Sequence, residues 1–166
     1  MFILIVGCGR RGTYVSGLFA KNEFAKIAYL CDIYDDQIAA ASKIFSGAKA
    51  FKNIDDMLAS DVDAVYIATP PYLHPEHFEK AVKSRKHIFM EKPVATDPAG
   101  INRVLVAAEE AKKKKLNVVV GLQRHYQNSY RELYKRKDMI GDITSAQAWW
   151  NNDGVWVNPR KAGQTE

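Results

Sequence analysis

Short apolar runs recur along most of the chain, and the intervals between them leave room for helices: FILIV (2–6), IAYLC (27–31), AVYIA (64–68), HIFM (87–90) and NVVVG (117–121). None alternates cleanly between apolar and polar residues. That is the mark of strands buried on both faces of a parallel sheet, since a strand with one wet face shows a period of two. Helical patterns fill the gaps. Residues 75–84 set Phe78, Ala81 and Val82 on one face and place Glu76 with Lys80, and Glu79 with Lys83, four residues apart. Residues 98–115 set Ile101, Val104, Leu105, Ala108 and Ala111 on one stripe, behind Asp97 as N-cap and Pro98 at the first helical position. Two more helices fit 11–20 and 35–45, and a short one at 54–60 follows Asn53. With a brief edge strand at KAF (49–51), this order predicts an α/β fold: a doubly wound parallel sheet of six strands.

The pattern changes after Gly121. A helix is expected near 129–139, a turn at Gly141 and Asp142, and a long strand over ITSAQAWWNN (143–152), followed by a loop-like tail. Residues 1–121 therefore read as one domain and 122–166 as the beginning of a second α/β domain cut short. The net charge of +5 comes from 24 basic and 19 acidic residues spread along the chain. The densest basic cluster, Lys112–Lys115, ends a predicted helix, where cations suit the negative end of the dipole, and no aromatics are interleaved. No nucleic-acid partner is expected. Cys8 and Cys31 are too few for a disulfide framework and fall at strand ends, where Cys serves as a small apolar residue. No run approaches the ~20 apolar residues of a membrane span, and no basic segment precedes FILIVG. A cytoplasmic protein with reduced thiols and no membrane partner is the expectation, with a leader removed from a longer parent left open. No metal site is expected.

VGCGRRG supplies Gly7, Gly9 and Gly12 in G-x-G-x-x-G spacing where the first strand becomes the first helix. In this context the first glycine allows a tight turn, the second lets a pyrophosphate approach the backbone, and the third lets helix and strand pack closely. The helix start then offers N–H groups and a positive dipole end to the anion. Three glycines serving only a tight turn is the plainer alternative. Asp32 closes the second strand, twenty residues after Gly12, where an acid that binds the adenosine ribose belongs, a turn residue or a cap of the next helix being the plainer alternative. It would repel a 2′-phosphate, so NAD is favoured over NADP. Arg10 and Arg11 stand near enough to soften that preference and keep NADP possible. Tyr34 either flanks the adenine or packs.

In strand order 3-2-1-4-5-6, ligands bind outside the carboxyl ends of the strands where the order reverses, between strands one and four. The nicotinamide half then falls over the ends of strands four, five and six. There, Thr69, Pro70 and Pro71 form a rigid turn that can lie under a ring and ribose. His74 is a candidate N-cap whose imidazole, held neutral by the helix dipole, could bond a ligand; His77 reads as a surface residue. Lys92 at the end of strand five can aim its ammonium at a substrate oxygen, stabilising alkoxide charge or passing a proton. Glu91 either holds that lysine or bonds the cofactor, and Pro93 fixes the turn and pushes Lys92 towards extended backbone. A surface ion pair at a strand end is the competing account of Glu91 and Lys92.

Taken in order, VGCGRRG, CDIYDD, ATPPYLHPEHFEKAV, HIFMEKPVAT and GLQRHYQNSYRELYKRKDMIGDI resemble the family of glucose-fructose oxidoreductase and inositol dehydrogenase across nearly all of residues 1–145. The resemblance implies a Rossmann domain and an NAD(P)-dependent oxidoreductase acting on sugars, polyols or related compounds. It places the family lysine on Lys92, its neighbouring acid on Glu91, its histidine on His74 and its substrate-binding arginine on Arg124, with Gln123 at the crossing between domains. Gln123 and Arg124 could reach nicotinamide or substrate, or serve as hinge residues. It also implies a larger C-terminal domain that supplies the general acid/base and often a homo-oligomer interface. The chain then reads as the cofactor-binding part of such an enzyme, inactive alone, with Trp149, Trp150 and Trp156 left sticky. An NAD-dependent glycoside hydrolase of the same superfamily and a non-catalytic cofactor-binding protein are the alternatives. A methyltransferase using the acid for a different ribose leaves Glu91-Lys92-Pro93 unexplained.

Overall fold

In the computed structural model, which describes residues 1–151 and 154, the chain divides into two compact units, 1–124 and 125–166. The first unit is a six-stranded sheet in the order β3-β2-β1-β4-β5-β6. Its strands are β1 (Phe2–Val6), β2 (Lys26–Cys31), β3 (Lys49–Phe51), β4 (Ala64–Ile67), β5 (His87–Met90) and β6 (Val118–Val120). Every pairing is parallel, as crossover helices require. The helices are α1 (Arg10–Phe19), α2 (Asp35–Ile44), α3 (Ile54–Leu58), α4 (His74–Lys83), α5 (Pro98–Lys113) and the short α6 (Gln123–Tyr126).

Successive strand residues face opposite sides, so the sheet separates two apolar clusters. Leu4, Val6, Val65, Ile67, Ile88 and Met90 pack on one face with α3, α4 and α5. Ile3, Ile5, Tyr66 and Phe89 pack on the other with α1 and α2. The amphipathic reading of α4 holds: Phe78, Ala81 and Val82 are buried, and Glu76 pairs with Lys80 at 2.8 Å. Glu79 departs from it, pairing with Arg103 of α5 and not with Lys83, because the neighbouring helix brings a forked guanidinium within 2.6 Å.

The stripe expected on α5 is rotated. Val104, Ala107 and Ala111 are buried behind Gly100, whereas Leu105 is 60% exposed and Ile101 39%. A Cβ on Gly100 would stand 3.0 Å from the Ala95 Cβ and 3.1 Å from the Pro75 Cγ, so small residues, and not the largest ones, fit this seam. The caps fall where expected: Asp97 accepts from Gly100 N at 2.8 Å and Asn53 from Asp55 N at 2.9 Å.

In the second unit, α7 (Asn128–Lys135) precedes a single 3-10 turn, 137–140. Residues 143–151 form no strand, contrary to the sequence expectation. A strand exists only through a ladder with a neighbour, and no ladder pairs this segment among the described residues. Trp149 and Trp150 are about three-quarters exposed, at 76% and 74%; Trp156 lies outside the described residues.

Candidate functional site

The strand order reverses between β1 and β4, where a doubly wound sheet opens a crevice at the carboxyl ends of its strands, and three glycines shape its near wall. Gly7 turns the chain at φ 94°, a left-handed angle that favours glycine. A Cβ there would lie 2.7 Å from the Ala68 carbonyl, so this turn touches the end of β4 backbone to backbone. On Gly12 a Cβ would stand 1.9 Å from the Gly7 carbonyl oxygen, which starts α1 hard against the turn. Gly9 is constrained by neither. Beyond its chain neighbours the nearest atom to a Cβ there would be Gln37 Oε1 at 4.0 Å, leaving the space over it open to a ligand. Gly9 is also the N-cap of α1, with no side-chain cap and no acid in the first turn, so the positive helix end is left to an anion. Arg10 is exposed on that turn.

Asp32 is built into this wall. Its Oδ2 accepts from Cys8 N at 2.7 Å and its Oδ1 from Tyr34 N at 3.0 Å, which ties the end of β2 to the glycine loop. Each carboxylate oxygen keeps lone-pair capacity for a ribose hydroxyl. Tyr34 does not pack; it is 61% exposed beside the acid. Cys8 and Cys31 are buried free thiols, pushed up to about 12 by burial and then by the Asp32 charge.

The far wall departs from expectation at three residues, His74, His77 and Glu91. Leu73, not His74, is the N-cap of α4. His74 is 1% exposed, with Nδ1 2.7 Å from the Pro93 carbonyl oxygen and Nε2 2.8 Å from that of Thr69. Both ring nitrogens are therefore spent on backbone, and the ring clamps the turn after β4 to the turn after β5 instead of offering a nitrogen to a ligand.

His77 is not a simple surface residue: its Nδ1 lies 3.0 Å from Thr69 Oγ1, and burial holds its pKa below the usual imidazole value. Glu91 does not hold Lys92. Extended backbone sends adjacent side chains to opposite faces, and Glu91 continues the parity of Phe89 towards α1. There its Oε1 accepts from Arg11 Nε at 2.9 Å and Tyr66 Oη at 3.0 Å. Arg11 is thereby tied to the end of β5. The strand position of Tyr66 was its sequence signal, since a tyrosine in a buried run needs a partner for its hydroxyl.

Lys92 is exposed, and no hydrogen bond or ion pair engages it among the described residues; the Lys92–Pro93 peptide is cis. Pro70 is exposed and Thr69 half-buried at the end of β4. Gln123 and half-buried Arg124 follow β6, with Gln123 N donating to the Gly121 carbonyl at 3.1 Å.

An open glycine cradle at a helix start, an acid at the end of the second strand and a sheet that reverses beside them define a dinucleotide-binding Rossmann domain. Comparison with known proteins agrees: residues 1–121 match the oxidoreductase family with an NAD-binding Rossmann fold, and the chain belongs to that family. It is 36% identical over 146 residues to inositol 2-dehydrogenase 3 of Saccharopolyspora erythraea, covering 87% of this chain and 42% of that protein. It is 32% identical over 155 residues to an uncharacterized oxidoreductase of Streptococcus pneumoniae, covering 87% of this chain and 40% of the other. Among solved structures, scyllo-inositol dehydrogenase from Lactobacillus casei with bound NAD(H) and scyllo-inositol superposes with a TM-score of 0.75 at 30% identity. That match covers 87% of this chain and 43% of the other. The chain thus spans about 40% of the length of the curated relatives it matches. No helix among the described residues is long and apolar enough to cross a membrane.

Proposed function

We propose that this chain is the cofactor-binding part of a dehydrogenase that moves hydride between a nicotinamide cofactor and a carbon of a sugar or cyclic polyol, with NAD preferred over NADP. The observation that carries the reading is the pairing of Asp32 with the glycine loop, together with an exposed Lys92 at the end of β5 that no hydrogen bond or ion pair engages among the described residues. When bound, the cofactor supplies a hydride acceptor or donor at nicotinamide C4. Gly9 and the start of α1 receive the pyrophosphate, and Asp32 receives the adenosine ribose hydroxyls and rejects a 2′-phosphate by charge. Thr69 and Pro70 line the nicotinamide side. As a substrate C–O–H becomes C=O, the hydride goes to the cofactor and the hydroxyl proton to a general base of the C-terminal domain that the relatives' greater length implies, while Lys92 stabilises the negative charge gathering on the oxygen. Arg124 and Gln123, at the end of β6, serve substrate or nicotinamide, and His74 holds the two turns that carry Thr69 and Lys92.

Titration with NADH and NADPH, followed by nicotinamide fluorescence, tests the cofactor reading. NADH should bind more tightly, and Asp32→Ala should erase the difference; equal binding of both by the native chain would defeat the NAD preference. In the longer protein, Lys92→Met should lower kcat by roughly 10²–10⁴ and leave the NADH Kd unchanged. The inositol dehydrogenases among the relatives support a cyclic polyol, and a panel of cyclic polyols and hexoses assayed for NADH release selects the substrate.

A further inference from the structure

The crevice floor holds a buried carboxylate to which the hydride-transfer reading gives no task. Glu91 has a side chain only 8% exposed, and its Oε1 receives two donors from two different elements: Arg11 Nε from the first turn of α1 and Tyr66 Oη from β4. Beneath it, Phe19, Tyr66 and Phe89 meet edge to face with centroids 5.3–5.6 Å apart, which fixes the Tyr66 ring and aims its hydroxyl. On the other side is Gly121, past the end of β6, where a Cβ would lie 3.2 Å from Glu91 Oε2. Three elements, α1, β4 and the end of β6, therefore converge on a carboxylate at the end of β5, and β4 is one of the two strands between which the order reverses.

The elements so joined divide the work of the crevice. The turn before α1 faces the pyrophosphate, whereas the ends of β5 and β6 carry Lys92 and Gln123. A carboxylate this buried has to be paired, and here its partners come from the two elements, α1 and β4, that stand on the glycine-loop side of the site. We propose that Glu91 is a positioning residue: the Arg11–Glu91–Tyr66 tie sets the distance from the start of α1 to the ends of β5 and β6, so that a dinucleotide anchored at the glycine loop lays its nicotinamide half against a fixed surface beside Lys92. Arg11 on this account is a strut between the two halves of the site and not a phosphate ligand. The inference rests on the dinucleotide reading of the crevice.

Its test compares NADH with ADP-ribose, which has the adenosine, pyrophosphate and second ribose but no nicotinamide, by calorimetric titration of the chain. The variants are Glu91→Ala, which removes both bonds, and Tyr66→Phe, which removes one hydroxyl and keeps the ring. Glu91→Ala should weaken NADH by about tenfold and Tyr66→Phe by about threefold, sizes in line with losing hydrogen bonds to a charged group; ADP-ribose should change less than about twofold in both. A parallel loss of both ligands would show a role in stability alone and overturn the proposal, as would unchanged NADH binding. Should Glu91→Ala not fold, Tyr66→Phe decides by itself. If the native chain binds ADP-ribose and NADH equally and selectivity is absent from the start, the tie positions nothing. Failure of the native chain to bind either ligand overturns the dinucleotide reading as well, which separates the two failures.

Discussion

Gly9 and Gly12 stand three positions apart and forbid a side chain for different reasons, which makes them a matched pair of probes. At Gly12 the Cβ of alanine meets backbone at 1.9 Å, so Gly12→Ala should abolish cooperative unfolding or lower the midpoint by many degrees. At Gly9 it meets open space at an ordinary φ of −68°, so Gly9→Ala should keep the native melting temperature while losing NADH affinity by at least about tenfold, because the methyl occupies the approach of the pyrophosphate. Melting curves and NADH titrations on the two variants separate folding from binding. His77 offers a second residue-scale prediction. Burial lowers its pKa, with Lys80 and His74 adding to the effect and Glu76 and Asp55 opposing it, while Thr69 Oγ1 is its hydrogen-bond partner. The unfolded chain, titrating near 6.5, therefore binds more protons than the folded one as the pH falls. The contribution of His77 to stability is complete above pH 6.5 and is lost as the pH drops through the lower folded value. Urea midpoints between pH 5 and 7.5 should fall on acidification, and His77→Gln should flatten that slope.

Helix α5 shows what residue patterns do and do not fix. Its caps were legible because Asp97 and Pro98 act within one turn, on local backbone alone. Its buried stripe was not, because a helical wheel ranks residues by apolarity, whereas the seam against Pro75 and Ala95 selects for small size. Val104→Ala should thus cost about 2 kcal/mol and Leu105→Ala less than about 0.5, measured by chemical denaturation, although leucine is the larger side chain. The crevice divides in the same way. Gly7, Gly9, Gly12 and Asp32 were readable because their spacing encodes one turn and one strand length. The partners of Glu91 were not, for Arg11 lies 80 residues away and Tyr66 lies 25 away. The clamp made by His74 was equally hidden, since it depends on where two loops from adjacent strands come to rest. The strand expected at 143–152 failed for the opposite reason, its pattern being right for a ladder that the described residues do not provide.

At the scale of the whole chain, the sheet is both scaffold and binding surface, so cofactor and stability are linked. A ligand that binds only the folded state at a hundredfold excess over its Kd adds about 2.7 kcal/mol, which for a protein of this size raises the melting temperature by roughly 5–10 °C. A thermal-shift series in NADH should show that rise, and Asp32→Ala should suppress it. The link between Asp32 and Cys8 N carries one more consequence, in the kinetics of capture. On the proposed reading Asp32 takes the ribose and the glycine loop the pyrophosphate, and since the acid already tethers that loop, the loop need not be ordered at the moment of encounter. Association should therefore run in a single phase, proportional to nucleotide concentration, and differences among nucleotide analogues should be written almost entirely in how fast they leave.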